Sequence, residues 1–328
     1  EKMENYRPTR IAIIDNGIMN VPHTFRIQAN GAISSKPLSQ SGKGLTRWGT
    51  DSRMSGVDSN DTNLTNQSGH HKTLWDRIRG GRSFADDDFQ LSPWMFASDP
   101  HGTQMANLIC AIDPTCELYV AKVTDGRFGI TPERVSRAIR WAKDMDVDII
   151  SMSFTILESS EGLKKSLSDA AKKDIILLCS APDEGARVSV AWPAASDHTI
   201  TIAACDEYGM EFRGMNSHYE WKLHGENIAA GTVPFLESAE CVTGSSVATA
   251  IAAGLSSLVF SCYRLVHGME KGRYMRMEII KKHFQHMQSA KDSKYVLLEK
   301  FGNIDAKIRE GEPIDSESII KQGFSEIE

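Results

Sequence analysis

Ile11-Ala12-Ile13-Ile14-Asp15-Asn16-Gly17 reads as a buried strand that ends in an acid and a turn. The chain from residue 101 onward gives that strand its setting. Val135, Ala138, Ile139 and Ala142 share a helical face, and Val147 to Met152 reads as a buried strand. Leu163, Leu167, Ala170 and Ala171 make a second helical face, followed by strands over Ile175 to Cys179 and Ile200 to Ala204. Alternation of this kind predicts an α/β fold with three layers: a central, mainly parallel sheet flanked by helices on both sides. Sites in such folds gather beyond the carboxyl ends of the strands, and Asp15 lies at one such end.

Two further segments carry chemistry. His101 opens His101-Gly102-Thr103-Gln104-Met105-Ala106, just after Asp99-Pro100, where a helix is expected to start. Ser246 lies in Thr243-Gly244-Ser245-Ser246-Val247-Ala248, ahead of a helix from Ser246 to Leu265 that is apolar almost all round and is therefore expected to run through the core. A serine hydroxyl is a poor nucleophile at neutral pH. It needs a base within hydrogen-bond reach, and the base needs a buried acid to fix its tautomer. Asp15, His101 and Ser246 are the candidates for these three roles, and only a fold brings them together.

With 328 residues, 41% of them hydrophobic, the chain can bury a substantial core, most simply as one large domain. A net charge of -6 and a pI near 6.0 give no basic field for nucleic acid. No apolar run is expected to reach the length of a membrane span, and Glu1 to Arg10 is charged rather than signal-like, which points to the cytoplasm. Cys179, Cys205 and Cys241 fall in or beside strand-like segments, and Cys110 and Cys262 in helix-like ones. Together they read as reduced core thiols of an intracellular protein; Cys110 and Cys116 are close enough in sequence to pair, and no spacing matches a zinc site. No cofactor is indicated.

A catalytic domain is expected over 1–290, with a polar surface insertion near 28–72 and a C-terminal extension over 291–328 whose last stretch, from 304, reads as a partner-facing tail. A core stripe of Ile279, Ile280, Phe284 and Met287 predicts a helix around Met275 to Met287. His283 and His286 on that helix, and His70-His71 in the insertion, read as solvated rather than metal-binding, and Asp86-Asp87-Asp88 as a solvated acidic loop.

Over roughly residues 8 to 290 the chain resembles the subtilases, the subtilisin-like serine peptidases, whose triad has the chain order Asp, His, Ser. The resemblance extends to Ala121-Lys122-Val123, Ile149-Ile150-Ser151-Met152-Ser153, Trp192-Pro193 and Ala229-Ala230-Gly231. It implies Asp15, His101 and Ser246 as the triad. Gly129 and the segment Ser153, Phe154, Thr155 would be the two edges that sandwich an extended peptide or protein substrate, with Phe154 lining the pockets. Thr155 stands where the family usually has Gly.

The resemblance also implies an oxyanion site of Asp183, Ser245 and the Ser246 amide, with Asp183 in place of the family's Asn. A carboxylate repels an oxyanion, whereas a protonated carboxyl still donates. In subtilisin itself, loss of such a side-chain donor costs on the order of 10²–10³ in turnover. The calcium loop that normally follows the His helix is absent from Ile109 to Pro114, so no metal site is expected. The chain is similar to subtilase modules of larger intracellular fungal proteins, which implies further domains. These readings favour a serine endopeptidase, with a peptide transacylase and a non-catalytic, protease-shaped binding module as the alternatives.

Overall fold

The computed structural model of the protein describes residues 6–19, 74–85, 91–125, 129–183, 190–212, 218–269, 274 and 276–297, with the backbone of 26–27 and 33–34. Its centre is β1 (Arg10–Asp15), in a seven-stranded sheet with β4 (Ile78–Ser83), β5 (Glu117–Lys122), β6 (Ile149–Met152), β7 (Ile176–Ser180), β8 (Ile200–Cys205) and β9 (Trp221–His224). The strand order is β4-β5-β1-β6-β7-β8-β9, and every pairing is parallel. Helices α1 (His101–Ile112), α2 (Pro132–Asp144), α3 (Glu161–Ala171), α4 (Ser245–His267) and α5 (Arg276–His286) complete the layers. A short pair, β10 (Ile228–Ala229) with β11 (Cys241–Val242), stands apart.

Two units divide the chain: Glu1–Asn20 with Leu74–Glu328, and Val21–Thr73. The second contains the antiparallel pair β2 (Arg26–Ile27) and β3 (Ile33–Ser34). Apart from β3, the insertion expected over 28–72, with His70 and His71, lies outside the described residues. So do Asp86–Asp88 and the tail from 298.

Both faces of each central strand are apolar because both are covered. Ile11 and Ile13 join the cluster formed with α1, α4 and α5, while Ala12 and Ile14 join the cluster formed with α2 and α3. Ile149 and Ile150 split in the same way, as do Leu178 and Leu177. Side chains alternate across a strand, so a sheet buried on two sides needs continuous apolar runs. The helices start where local chemistry allows: Thr131 accepts from the Arg134 amide with Pro132 behind it, and Ser160 accepts from the Leu163 amide.

Helix α4 corrects one expectation. Its 23 residues are long and apolar enough to cross a membrane by length and composition, with a mean hydropathy of 1.5 over the best window. The small serines Ser256, Ser257 and Ser261 interrupt the apolar sequence without making it polar on average. Most of that window is buried inside the protein, and at Gly254 a Cβ would lie 2.9 Å from Ile112 Cβ and 3.0 Å from the Ile109 carbonyl, so α1 and α4 pack nearly backbone to backbone.

Two other expectations change. His283 is buried, not solvated: Nδ1–H donates to the Ile279 carbonyl at 2.7 Å, the ring packs edge-on to Tyr263, and burial lowers its pKa. Helical periodicity assigned it to the His286 face, but α4 covers it. All six cysteines are free, as expected, yet Cys241 is exposed because β11 is a two-residue strand outside the core.

Two clusters of buried charge away from the carboxyl ends of β1 and β5 tie the fold together. Asp148, with no exposed side-chain area, holds Arg264 at 2.7 Å, Arg276 at 3.2 Å and Arg7 at 2.6 Å, and accepts the Arg10 amide at 2.9 Å. This knot ties the start of β1 to the end of α4 and the start of α5. At the sheet edge Lys222 pairs with Asp292 at 2.6 Å and Glu211 at 3.3 Å, while its backbone bonds Lys294 and Val296. Residues up to Val296 therefore belong to the same packed edge.

Candidate active site

The parallel strands deliver Asp15, Lys122, Met152 and Ser180 to the carboxyl end of the sheet, where α1 and α4 begin. His101 is the first residue of α1, and its Nδ1 lies 2.9 Å from Asp15 Oδ1 and 3.0 Å from Oδ2. Asp15 is buried, while the His101 side chain keeps 36% of its surface exposed. The Asp15 charge raises the His101 pKa to about 8; burial opposes the shift, and the Asp15 hydrogen bond and the Asp99 charge reinforce it. The other ring nitrogen is left for a third partner.

Ser246 lies in the first turn of α4. Its hydroxyl donates to the Ser153 carbonyl at 3.0 Å, and the Ser153 hydroxyl donates to the Ser246 carbonyl at 3.3 Å. No hydrogen bond joins Ser246 to His101 among the described residues. The Ser246 amide, a first-turn N–H, has no acceptor among them either, so it is a free donor at the positive end of a helix.

Asp183, just beyond β7, is turned onto Ser245. Its carboxylate accepts the Ser245 hydroxyl at 2.6 Å and the Ser245 amide at 3.1 and 3.2 Å. Ser245 Oγ in turn accepts the Ala204 amide at 3.2 Å. The two side chains read as oxyanion ligands thus hold one another. Asp183 works here as the acceptor for the start of α4, where Gly244 (φ 142°) leaves room: a Cβ on it would sit 3.0 Å from Asp183 Oδ2.

The candidate substrate edges flank β1. Gly129 lies in the loop after β5, exposed, with open space where a Cβ would point. Ser153, Phe154 and Thr155 follow β6; Ser153 is buried, the other two half-buried, and Phe154 packs against the cluster under α2 and α3. Ile156 then pairs with Trp192 through both amides at 2.8 Å. No hydrogen bond among the described residues joins Gly129 to 153–155.

The sequence reading passed over three residues. Asn16 accepts the Gly102 amide at 3.0 Å and donates to the Asp99 carbonyl at 3.1 Å and carboxylate at 3.2 Å. Lys122, fully buried, donates to the Phe96 carbonyl at 2.7 Å and pairs with Asp125 at 3.2 Å. Asp125 also accepts Ser92 and Ser98; burial alone would raise its pKa, but these hydrogen bonds and Lys122 pull it below the ordinary carboxylate value. A lysine inside an apolar strand was the one available signal, since a buried ammonium needs paired acceptors. Asn16 gave none.

Among the described residues no three His, Cys, Asp or Glu side chains converge as a metal site would require. The link from α1 to β5 is short, and Asp113 within it already accepts Thr115 and Ser257, so the residues present do not fit a calcium site there.

Residues 7–294 match the model of the subtilase family. The chain is 29% identical over 207 residues to the major intracellular serine protease of Bacillus subtilis strain 168, covering 58% of this chain and 64% of that protein. It is 30% identical over 205 residues to the intracellular serine protease of Paenibacillus polymyxa, covering 58% and 62%. The chain thus spans less than two thirds of the length of these relatives. The protease domain of PatA, solved as a mutant, has the same fold, with a TM-score of 0.58 at 18% identity over 93% of this chain and 96% of that one.

Proposed function

The chain belongs to the subtilase family, and from that premise we propose that it is a serine endopeptidase with Ser246 as nucleophile, His101 as general base and acid, and Asp15 as the group that orients His101. The observation that carries this reading is the Asp15–His101 pair: a buried carboxylate on Nδ1 at 2.9 Å leaves Nε2 free to take a proton. Names of the matched relatives as serine proteases support the reaction class, and the word intracellular in both names supports a cytoplasmic setting.

Catalysis begins with a rotation. The Ser246 hydroxyl leaves the Ser153 carbonyl for His101, and a peptide N–H laid along Ser153–Thr155 takes that carbonyl in its place. Oγ then bonds the scissile carbonyl carbon while its proton passes to His101. The free Ser246 amide faces the developing oxyanion. His101 returns the proton to the leaving amine, and water, deprotonated by His101, resolves the acyl-enzyme to a carboxylic acid and free Ser246.

A fluorophosphonate probe followed by intact-mass measurement tests the assignment. One adduct, lost in Ser246→Ala and His101→Ala, is expected. The second reading is a protease-shaped binding module. It is favoured by one observation, the engagement of Asp183 with Ser245 in place of a free side-chain donor. A folded wild type that takes no adduct between about pH 5 and 9 would establish that reading instead.

A further inference from the structure

We propose that Asn16 is a positioning residue for the reaction: its side-chain amide clamps the start of α1 to the end of β1 and so holds His101 on Asp15. The inference rests on the peptidase reading for its consequence in catalysis, but its physical content stands on geometry alone. Helix α1 has no side-chain cap on its N-terminal residue Pro100, so its first turn needs fixing from outside. Asn16 supplies this from both ends of one buried group. Its Oδ1 accepts the Gly102 amide at 3.0 Å, and its Nδ2 donates to Asp99 at 3.1 and 3.2 Å, so the two contacts fall on either side of His101. Its own amide donates to Asp15 Oδ1 at 2.8 Å, the same oxygen that meets His101.

Two flanking anchors make the clamp rigid. The Asp99 carboxylate also accepts the His101 amide at 2.9 Å, and the Met19 amide donates to the Thr103 hydroxyl at 2.8 Å. A Cβ on Gly102 would lie 2.6 Å from Asn16 Oδ1 and 2.4 Å from the Gly17 carbonyl, so the helix start and the turn are already in closest contact. The asparagine carboxamide offers both a donor and an acceptor in one plane on a short stem, and alanine offers neither. Without the clamp, the half-exposed His101 ring is held by Asp15 alone, and its backbone by an Asp99 that has lost its own anchor on Asn16.

The charged groups facing His101 are Asp15 from β1 and Asp99 from the preceding loop. The test follows the His101 imidazole by NMR titration, assigned with His101→Gln, beside steady-state kinetics on a peptide ester. Asn16→Ala is expected to lower kcat about 10–100-fold with KM nearly unchanged, since a displacement near 1 Å carries a loss of that size. It is also expected to move the His101 titration from about 8 toward 6.5, because a loosened ring meets less of the Asp15 charge. Asn16→Asp keeps the acceptor for Gly102 and adds a negative charge, so it should move the titration upward while kcat still falls. These opposite shifts separate positioning from a mere loss of stability, which would lower the melting temperature of both variants and leave the titration in place. Folded Asn16→Ala with kcat within about twofold of wild type and an unmoved titration overturns the proposal. A moved titration in a protein that neither hydrolyses esters nor takes the fluorophosphonate sustains the clamp and removes the peptidase reading.

Discussion

Replacing Asp183 with Asn should change stability and turnover in opposite directions. As a carboxylate, Asp183 accepts the Ser245 hydroxyl at 2.6 Å and the Ser245 amide at 3.1 and 3.2 Å, all at the positive end of α4. A negative charge beside an exposed helix N-terminus contributes roughly 0.3–1 kcal/mol. Hydrogen bonds to a charged acceptor are about twice as strong as neutral ones, which adds roughly 1 kcal/mol for the best of the three contacts. The variant keeps one acceptor oxygen for Ser245, so the net loss should be about 1–2 kcal/mol. At roughly 2–4 °C per kcal/mol for a large domain, the melting temperature should fall by about 2–8 °C.

The same substitution creates a donor. With its oxygen on the Ser245 hydroxyl, the amide puts its NH₂ where Oδ2 now meets the Ser245 N–H at 3.1 Å; two donors repel there, so the NH₂ is expected to turn away and join the free Ser246 amide against an oxyanion. Turnover at neutral pH should then rise on the order of 10²-fold. Thermal melts and kcat on one peptide substrate, measured on the same preparations, check both signs. A variant that melts lower and also turns over more slowly would refute the reasoning, because Asp183 would then be assisting the oxyanion already. An unchanged melting temperature would refute the capping role.

Four further outcomes follow from the site and from the buried charges behind it. With His101 raised to about 8, kcat/KM should climb with pH at unit slope and level off above about 8, and a plateau reached by pH 6.5 would contradict the Asp15 pairing. Stability runs the other way: a histidine raised above its unfolded value of 6.5 contributes fully below that pH and loses its contribution as pH rises through about 8, so melts should show a small decline across that window. Gly102→Ala places a Cβ 2.4 Å from the Gly17 carbonyl and 3.2 Å from Asp15 Oδ1, so the backbone must move; kcat should fall at least about 10²-fold, and a rate within about threefold of wild type would show that the turn yields freely. Asp148→Asn leaves buried Arg264 and Arg276 without a counter-charge, which costs about 3–5 kcal/mol and roughly 6–20 °C of melting temperature, whereas exposed Asp146→Asn should change stability by less than about 0.5 kcal/mol.

The sheet was legible in the sequence because a strand covered on both faces cannot hide: Ile11 to Ile14 is a continuous apolar run, and Ile149 to Met152 and Ile200 to Ala204 are interrupted only by the small Ser151 and Thr201. The outer strands were not. β4 is Ile-Arg-Gly-Gly-Arg-Ser, whose glycines make room for neighbouring rings, with a Cβ on Gly81 falling 2.2 Å from the Trp94 ring. β9 carries Lys222, whose charge is balanced by Glu211 and Asp292 from distant parts of the chain. Local pattern fails at such strands because their partners are tertiary.

The same division runs through the candidate site. Residue type and chain order single out Asp15, His101 and Ser246, since few side chains supply an acid, a base and a hydroxyl at the ends of elements. Which hydrogen bond each donor makes is a different question, decided by whichever acceptor the fold brings within about 3 Å. Asp15 and His101 find one another because β1 and α1 meet at their ends. Ser246 finds the Ser153 carbonyl, and Asp183 finds Ser245, because β6 and β7 end beside the start of α4. A backbone carbonyl leaves no trace in composition, so sequence could single out Ser246 yet not its resting partner. Both partnerships place a stable hydrogen bond where the proposed reaction needs an open one. Under the proposed mechanism, turnover is therefore set by how readily a substrate N–H displaces Ser246 from Ser153, and by whether the side chain at position 183 offers the oxyanion a donor.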